Sequence, residues 1–210
     1  MRSEIPIIQC PLDCLACFSE VFSGQYDHPA LRKVLQQDAI YSPRILDIGA
    51  NVGAFAIWAK DQWPHSVVSC YEPQESLFQP LSNNLSHLIG CEIFPVAIAS
   101  AKVLPFYSGN TTRLCGSMMK MPRASFSNFE VPCLDARLLN ASDIVKLDCE
   151  GSEGYICENL QFTPAYIAIE YHSEELRMRC EKALDGKMQM VECTQTAPGL
   201  GMIKFIRIRK

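Results

Sequence analysis

Nine consecutive residues, Ile45-Leu46-Asp47-Ile48-Gly49-Ala50-Asn51-Val52-Gly53, restrict what this chain can become more than any other stretch. An apolar run ends in an acid, turns tightly between two glycines, and leads into Phe55-Ala56-Ile57-Trp58-Ala59, which suits a buried helix. This reads as a strand, a glycine turn and a helix start. In an open parallel α/β sheet, ligands bind at the carboxyl ends of the strands, so such a turn sets a ligand at the amino terminus of the first helix. A second strand, Ser66 to Tyr71, ends in Glu72, about 20 residues further on, where such folds present an acid to a ribose hydroxyl.

The ligand is narrowed by what the turn lacks. A dinucleotide fingerprint requires Gly-x-Gly-x-x-Gly, its middle glycine admitting the pyrophosphate and its third allowing close helix–strand packing. Counting from Gly49, those places hold Asn51 and Ala54. A ligand without a pyrophosphate, bearing an ammonium and a carboxylate, fits better, because Asp47 and the backbone amides near Asn51 offer opposite partners. S-adenosylmethionine is such a ligand.

From Arg44 onward, strands and helices alternate, which predicts a Rossmann-like α/β sheet, mostly parallel, with helices on both faces. The predicted strands are Arg44–Gly49, Ser66–Tyr71, Glu92–Ala97, Asp143–Asp148 and Ala165–His172, closed by a hairpin of Gln189–Thr194 and Met202–Ile208. Helices are expected to about Gln62, from about Glu75 with Pro80 inside or at its true start, and from about Ser173 to Leu184. Residues 100–134 depart from the alternation as a small β excursion, where substrate selection could sit. Residues 1–43 read as a helical cap on a main domain of residues 44–210, more simply a packing element than a lid.

Composition sets the class. The chain has 48% hydrophobic and 20% charged residues and a net charge of −4, an ordinary globular balance with no electrostatic case for nucleic acid. No stretch approaches the ~20 apolar residues of a membrane helix and no secretory leader is visible, so no membrane is expected and a cytoplasmic site is the default. Eleven scattered cysteines read as buried thiols. Cys10, Cys14 and Cys17 have a spacing similar to an iron–sulfur triplet, but it also fits one helix face, and inert packing is preferred. The basic end, Lys204 to Lys210, reads as the exposed face of a final strand.

Several segments together resemble the FkbM-type methyltransferases, a branch of the class I S-adenosylmethionine-dependent enzymes. They are Asp47 to Gly53, Glu72-Pro73 with Asn84 downstream, Pro95-Val96-Ala97-Ile98, Val131 to Asp135, Ile144-Val145-Lys146-Leu147-Asp148-Cys149-Glu150-Gly151-Ser152-Glu153, and Ile169-Glu170-Tyr171-His172. They span residues 44–172, and the Lys-x-Asp-x-Glu-Gly-x-Glu segment is the most specific. The resemblance implies seven strands in the order 3-2-1-4-5-7-6 with strand seven antiparallel, and methylation of a hydroxyl on a sugar or secondary metabolite. It places Asp47, Gly49, Asn51 and Gly53 around the methionine part, with Ala50 inside the same turn. Glu72, followed by Pro73, would take the ribose, and Ala97 and Ile98 would lie near the adenine.

Methyl transfer to an alcohol needs the nucleophile aligned behind the methyl group and its proton removed. Asp148, Glu150, Glu170 and His172 are expected to line the reaction centre, one of them as base, although Glu150 or Glu153 could instead cap the following helix. Asp148, Glu170 and His172 also have the chemistry of metal ligands, but their spacing demands no metal, and none is expected. The partner expected is a small hydroxyl-bearing acceptor. The rival readings are a non-catalytic S-adenosylmethionine-binding module and, less favoured, a nicotinamide oxidoreductase.

Overall fold

The computed structural model describes residues 14–100, 102–109, 116–117 and 126–209. Two short helices, α1 (Leu15–Phe22) and α2 (Pro29–Gln37), precede β1 (Arg44–Ile48), α3 (Ala54–Gln62), β2 (Val67–Tyr71), α4 (Glu75–Leu85) and β3 (Cys91–Phe94). An excursion follows, made of β4 (Ala97–Ile98), β5 (Val103–Gly109), β6 (Gly116–Ser117) and β7 (Phe126–Leu134). The main pattern then resumes with β8 (Ile144–Leu147), α5 (Glu153–Asn159), β9 (Tyr166–Tyr171), α6 (Glu174–Leu184), β10 (Met188–Ala197) and β11 (Leu200–Arg207).

The main sheet runs β3-β2-β1-β8-β9-β11-β10. Renumbered as seven main strands, this is 3-2-1-4-5-7-6, with the last strand antiparallel to both neighbours and the other pairings parallel. Because side chains alternate along a strand, consecutive residues feed two cores. Ile45, Val68, Ile144 and Ala168 pack under α2, α3 and α4, while Leu46, Ile48, Val145, Leu147, Ile167 and Ile169 pack under α5 and α6. Each buried Val, Leu or Ile among them contributes roughly 1.5–3 kcal/mol by leaving water.

Helix ends follow local chemistry. Pro29 occupies the first turn of α2, and His28 Nδ1 accepts from the Ala30 amide at 3.0 Å. The Ser173 hydroxyl accepts from the Leu176 amide at 3.1 Å and starts α6, whose first turn carries Glu174 and Glu175. Pro80 lies inside α4.

Two sequence expectations shift. The third strand does not reach Ala97: it stops at Phe94, before Pro95, whose missing amide hydrogen cannot extend the ladder, and Ala97–Ile98 pair instead with Cys133 and Leu134 of β7. The carboxyl-terminal basic run is no free surface, since Lys204 is buried against Glu192 and the Asp27 carbonyl, and Arg207 and Arg209 both pair with Asp38. Among the described residues no helix is long and apolar enough to cross a membrane.

Candidate active site

The first-turn sequence folds as its glycines require. Gly49, Asn51 and Gly53 all adopt left-handed backbone angles, with φ of 81°, 51° and 88°. A Cβ on Gly49 would stand 1.7 Å from the Asp148 carbonyl oxygen, so this turn lies directly against the loop leaving β8. Gly53 instead backs onto Leu81 and Leu85 of α4, a packing role.

A partly open cavity of about 220 Å³ sits at the carboxyl ends of β1, β2 and β8. Gly49, Asn51, Glu72, Pro73, Ala97 and Ile98 line it, as do Asp148, Glu150 and Glu170. Asp47 does not. It is wholly buried beside Lys146, its neighbour in the parallel β1–β8 register, with Oδ1 at 3.2 Å from Nζ. Ala50 borders only a smaller adjoining hollow.

Glu72 forms the floor. Its Oε2 accepts from the Asn51 amide and its Oε1 from the Gln74 amide, each at 2.8 Å. Burial pushes its carboxyl up to about 7 despite these two bonds and Lys146 nearby. Each oxygen keeps a lone pair for a further donor. The buried Asn51 Oδ1 has no hydrogen-bond partner within the protein. An orphaned acceptor beside a half-saturated carboxylate calls for a ligand rich in donors.

The reacting end is an acid-rich cluster. One step beyond the β8–β9 ladder, Asp148 and Glu170 stand level, and the Tyr26 hydroxyl bridges them at 3.1 Å and 3.2 Å. Burial, then the Asp148 charge, raises Glu170 to about 7, with His172, Lys146 and the Tyr26 bond opposing. Burial likewise raises Glu150 to about 7, opposed by His172.

His172 Nδ1 lies 2.9 Å from the buried Glu153 Oε1, while Nε2 faces Glu150 Oε2 at 3.4 Å and Asp148 Oδ1 at 3.9 Å. Burial disfavours the charged ring, but the Glu153 bond and the surrounding carboxylates outweigh it and push the pKa up to about 10. The shift favours the charged ring, the opposite of what a base poised near neutrality needs, so among the expected candidates the carboxylates are the better placed to accept a proton. Glu153 also accepts from the Gly151 amide, which precedes α5, so it braces the loop between β8 and α5 as well as His172, and the expected helix cap is not among its bonds. Ligand atoms of Asp148, Glu170 and His172 lie within 4.8 Å of one another, a grouping able to hold a cation.

Lys146 ties the two halves of the site together. Its ammonium donates to the Gly49 carbonyl, pairs with Asp47, and lies 3.8 Å from Asp148 Oδ2 and 5.6 Å from the Tyr26 ring centroid. Burial works against its charge, yet Asp47 and Asp148 prevail and its pKa is raised.

The amino-terminal helices take part as well. Ala16, Cys17 and Glu20 of α1 line the cavity, and Gln25 donates to Glu170 Oε2 at 2.8 Å. The cap therefore helps to wall the site, beyond the simple packing expected of it. Cys10 lies outside the described residues. Burial, then Cys14, pushes the Cys17 thiol up to about 12, and Cys14 is fully buried, which fits neutral packing thiols. Glu20, Gln25 and Tyr26 escape a motif reading, whereas Lys146, to which no role was given, carried a signal by lying inside the Lys-x-Asp-x-Glu-Gly-x-Glu segment.

No family model and no curated protein matches the sequence. Solved structures match its fold. Fibrillarin from Aeropyrum pernix, crystallised with natively bound S-adenosyl-L-methionine, aligns with a TM-score of 0.53 at 13% identity, covering 91% of this chain and 74% of that one. The methyltransferase FkbM from Methylobacillus flagellatus gives 0.54 at 14% identity over 78% of this chain, which spans 43% of that longer protein. The ribosomal protein L11 methylase from Lactobacillus delbrueckii gives 0.51 at 10% identity, covering 86% and 78%. The fold is the Rossmann-like methyltransferase fold.

Proposed function

We propose that the chain is an S-adenosylmethionine-dependent methyltransferase that methylates a hydroxyl oxygen on a small acceptor, a sugar or a secondary metabolite. The observation that carries this reading is the donor-hungry floor of the cavity, where Asn51 Oδ1 lacks any protein partner and both Glu72 oxygens have a lone pair to spare. An ammonium and a ribose diol satisfy these acceptors, and Val96, Ala97, Ile98 and Leu77 offer an apolar wall to an adenine. When bound, the cofactor supplies an electrophilic methyl group on a sulfonium.

The chain's own residues then orient the nucleophile and take its proton. Glu170 is the preferred base: it lines the cavity, its carboxyl is raised to about 7, and Tyr26 and Gln25 both bond to Oε2, leaving Oε1 to accept. Glu150, similarly raised, stands beside imidazolium His172. Lys146 and His172 offset the local negative charge without titrating near neutrality.

The Lys146-to-Glu153 segment, the most specific part of the sequence resemblance to the FkbM-type methyltransferases, supports an oxygen acceptor. The absence of glycine at positions 51 and 54 weighs against a nicotinamide cofactor. Incubation with methyl-labelled donor and hydroxylated acceptors tests the reading: Asn51→Ala should weaken donor binding, whereas Glu170→Gln should bind donor normally and fail to transfer. Donor binding without product for every acceptor would favour the binding-module alternative.

A further inference from the structure

A second hollow, of about 570 Å³, lies between the turn joining α1 to α2 and the β10–β11 hairpin. Glu20 and Glu170 border both this groove and the cofactor cavity, so the side chain proposed as base forms a wall common to the two. On the groove side, Gln25 holds Glu170 Oε2. The groove therefore adjoins the cofactor cavity across the side chain proposed as base.

Its lining has a definite chemistry. Four carboxylates, Glu20, Asp27, Glu170 and Glu192, face a single ammonium, Lys204. That ammonium is committed, donating to the Asp27 carbonyl at 2.9 Å and to Glu192 Oε2 at 3.0 Å. His28 Nδ1 is taken up by the Ala30 amide. Ser23, Thr194 and Thr196 contribute hydroxyls. Such a wall hydrogen-bonds hydroxyls and ammonium groups and repels phosphates, whose juxtaposition with like charge is a strong discriminator between partners.

We propose that this groove is the acceptor subsite and that it takes an uncharged polyol or an amine-bearing small molecule while rejecting phosphorylated acceptors, RNA included. The inference rests on the methyltransferase reading, but its test separates from it.

Glucosamine, glucose and glucose 6-phosphate differ chiefly in charge and serve as probes, titrated into the whole protein with and without saturating S-adenosylhomocysteine. The expected order has glucosamine and glucose at least about tenfold tighter than glucose 6-phosphate. Thr194→Trp, at an exposed edge-strand position, should weaken both about tenfold and leave the S-adenosylhomocysteine Kd unchanged. Thr194→Lys should narrow the gap to the phosphate. Equal or tighter binding of glucose 6-phosphate, indifference of binding to Thr194→Trp, or no binding by any of the three overturns the proposal. If S-adenosylhomocysteine fails to bind while the sugar order and the tryptophan effect hold, the groove stands and the methyltransferase reading falls.

Discussion

Cofactor affinity should depend on pH in the wild-type protein, and replacing Glu72 with glutamine should remove that dependence. Burial raises this carboxyl from 4.5 to about 7 in the empty cavity, so ionising it there costs roughly 3 kcal/mol relative to water, at about 1.4 kcal/mol per unit. Ribose hydroxyls donating to its two oxygens favour the ionised form, and hydrogen bonds to a charged group are worth roughly 1.5–3 kcal/mol each. The bound state therefore holds Glu72 ionised at a lower pKa than the empty state. Below about 7 a proton must leave as the ligand enters, so affinity should rise with pH, by up to about tenfold per unit, and level off above about 7. Calorimetric titration with S-adenosylhomocysteine from pH 5.5 to 8, in buffers of different ionisation enthalpy, reads both the slope and the released proton. Glu72→Gln should flatten the slope and weaken binding by about a hundredfold. A wild-type Kd that is constant over this range refutes the reasoning, and a slope that survives in Glu72→Gln assigns the proton to Glu150 or Glu170 instead.

Gly49→Ala should abolish cofactor binding and lower Tm, because its Cβ would meet the Asp148 carbonyl at 1.7 Å from a left-handed backbone at φ 81°; circular dichroism melts and calorimetry check this. Lys146→Met should leave Asp47 buried without its cation, a loss of roughly 3–5 kcal/mol measurable by urea unfolding; a loss below about 1 kcal/mol would show the pair to be dispensable. Glu170→Gln should cut kcat by ~10²–10⁴-fold and remove the rising limb near pH 7 from the wild-type rate profile, with the cofactor Kd unchanged. His172→Gln should lower activity without shifting that limb, since the ring is already charged there; a limb that moves would restore histidine as the base.

The frame of the fold was legible because its signals are local. Asp47 to Gly53 carries a strand, a turn and a helix start within nine residues, and Gly49 and Gly53 adopt the positive angles that glycine permits. Near-continuous apolar runs likewise mark the central strands as buried without reference to distant partners. Where reading failed, the cause was tertiary. β3 stopped before Pro95, and Ala97 and Ile98 paired instead with Cys133 and Leu134 of β7, a partner far along the chain that the strand sequence does not announce. Asp47 was assigned to the ligand from its place in the turn, and the register that sets it, wholly buried, beside Lys146 is a contact the turn sequence does not encode. Tyr26 reaches Asp148 across 122 residues of chain, a contact that no spacing pattern encodes. His172 was found by strand alternation, yet its charge state depends on Glu150 and Glu153, which fold against it from the loop after β8 and the start of α5.

One titration bears most directly on whether the cavity beside the first glycine turn is a methyl-donor site: S-adenosylmethionine and NAD, each added to the purified protein at pH 7.5. The expected result is saturable binding of S-adenosylmethionine with one site per chain, weakened in Asn51→Ala, and no heat from NAD. Saturable NAD binding with none for S-adenosylmethionine, or silence from both, contradicts it.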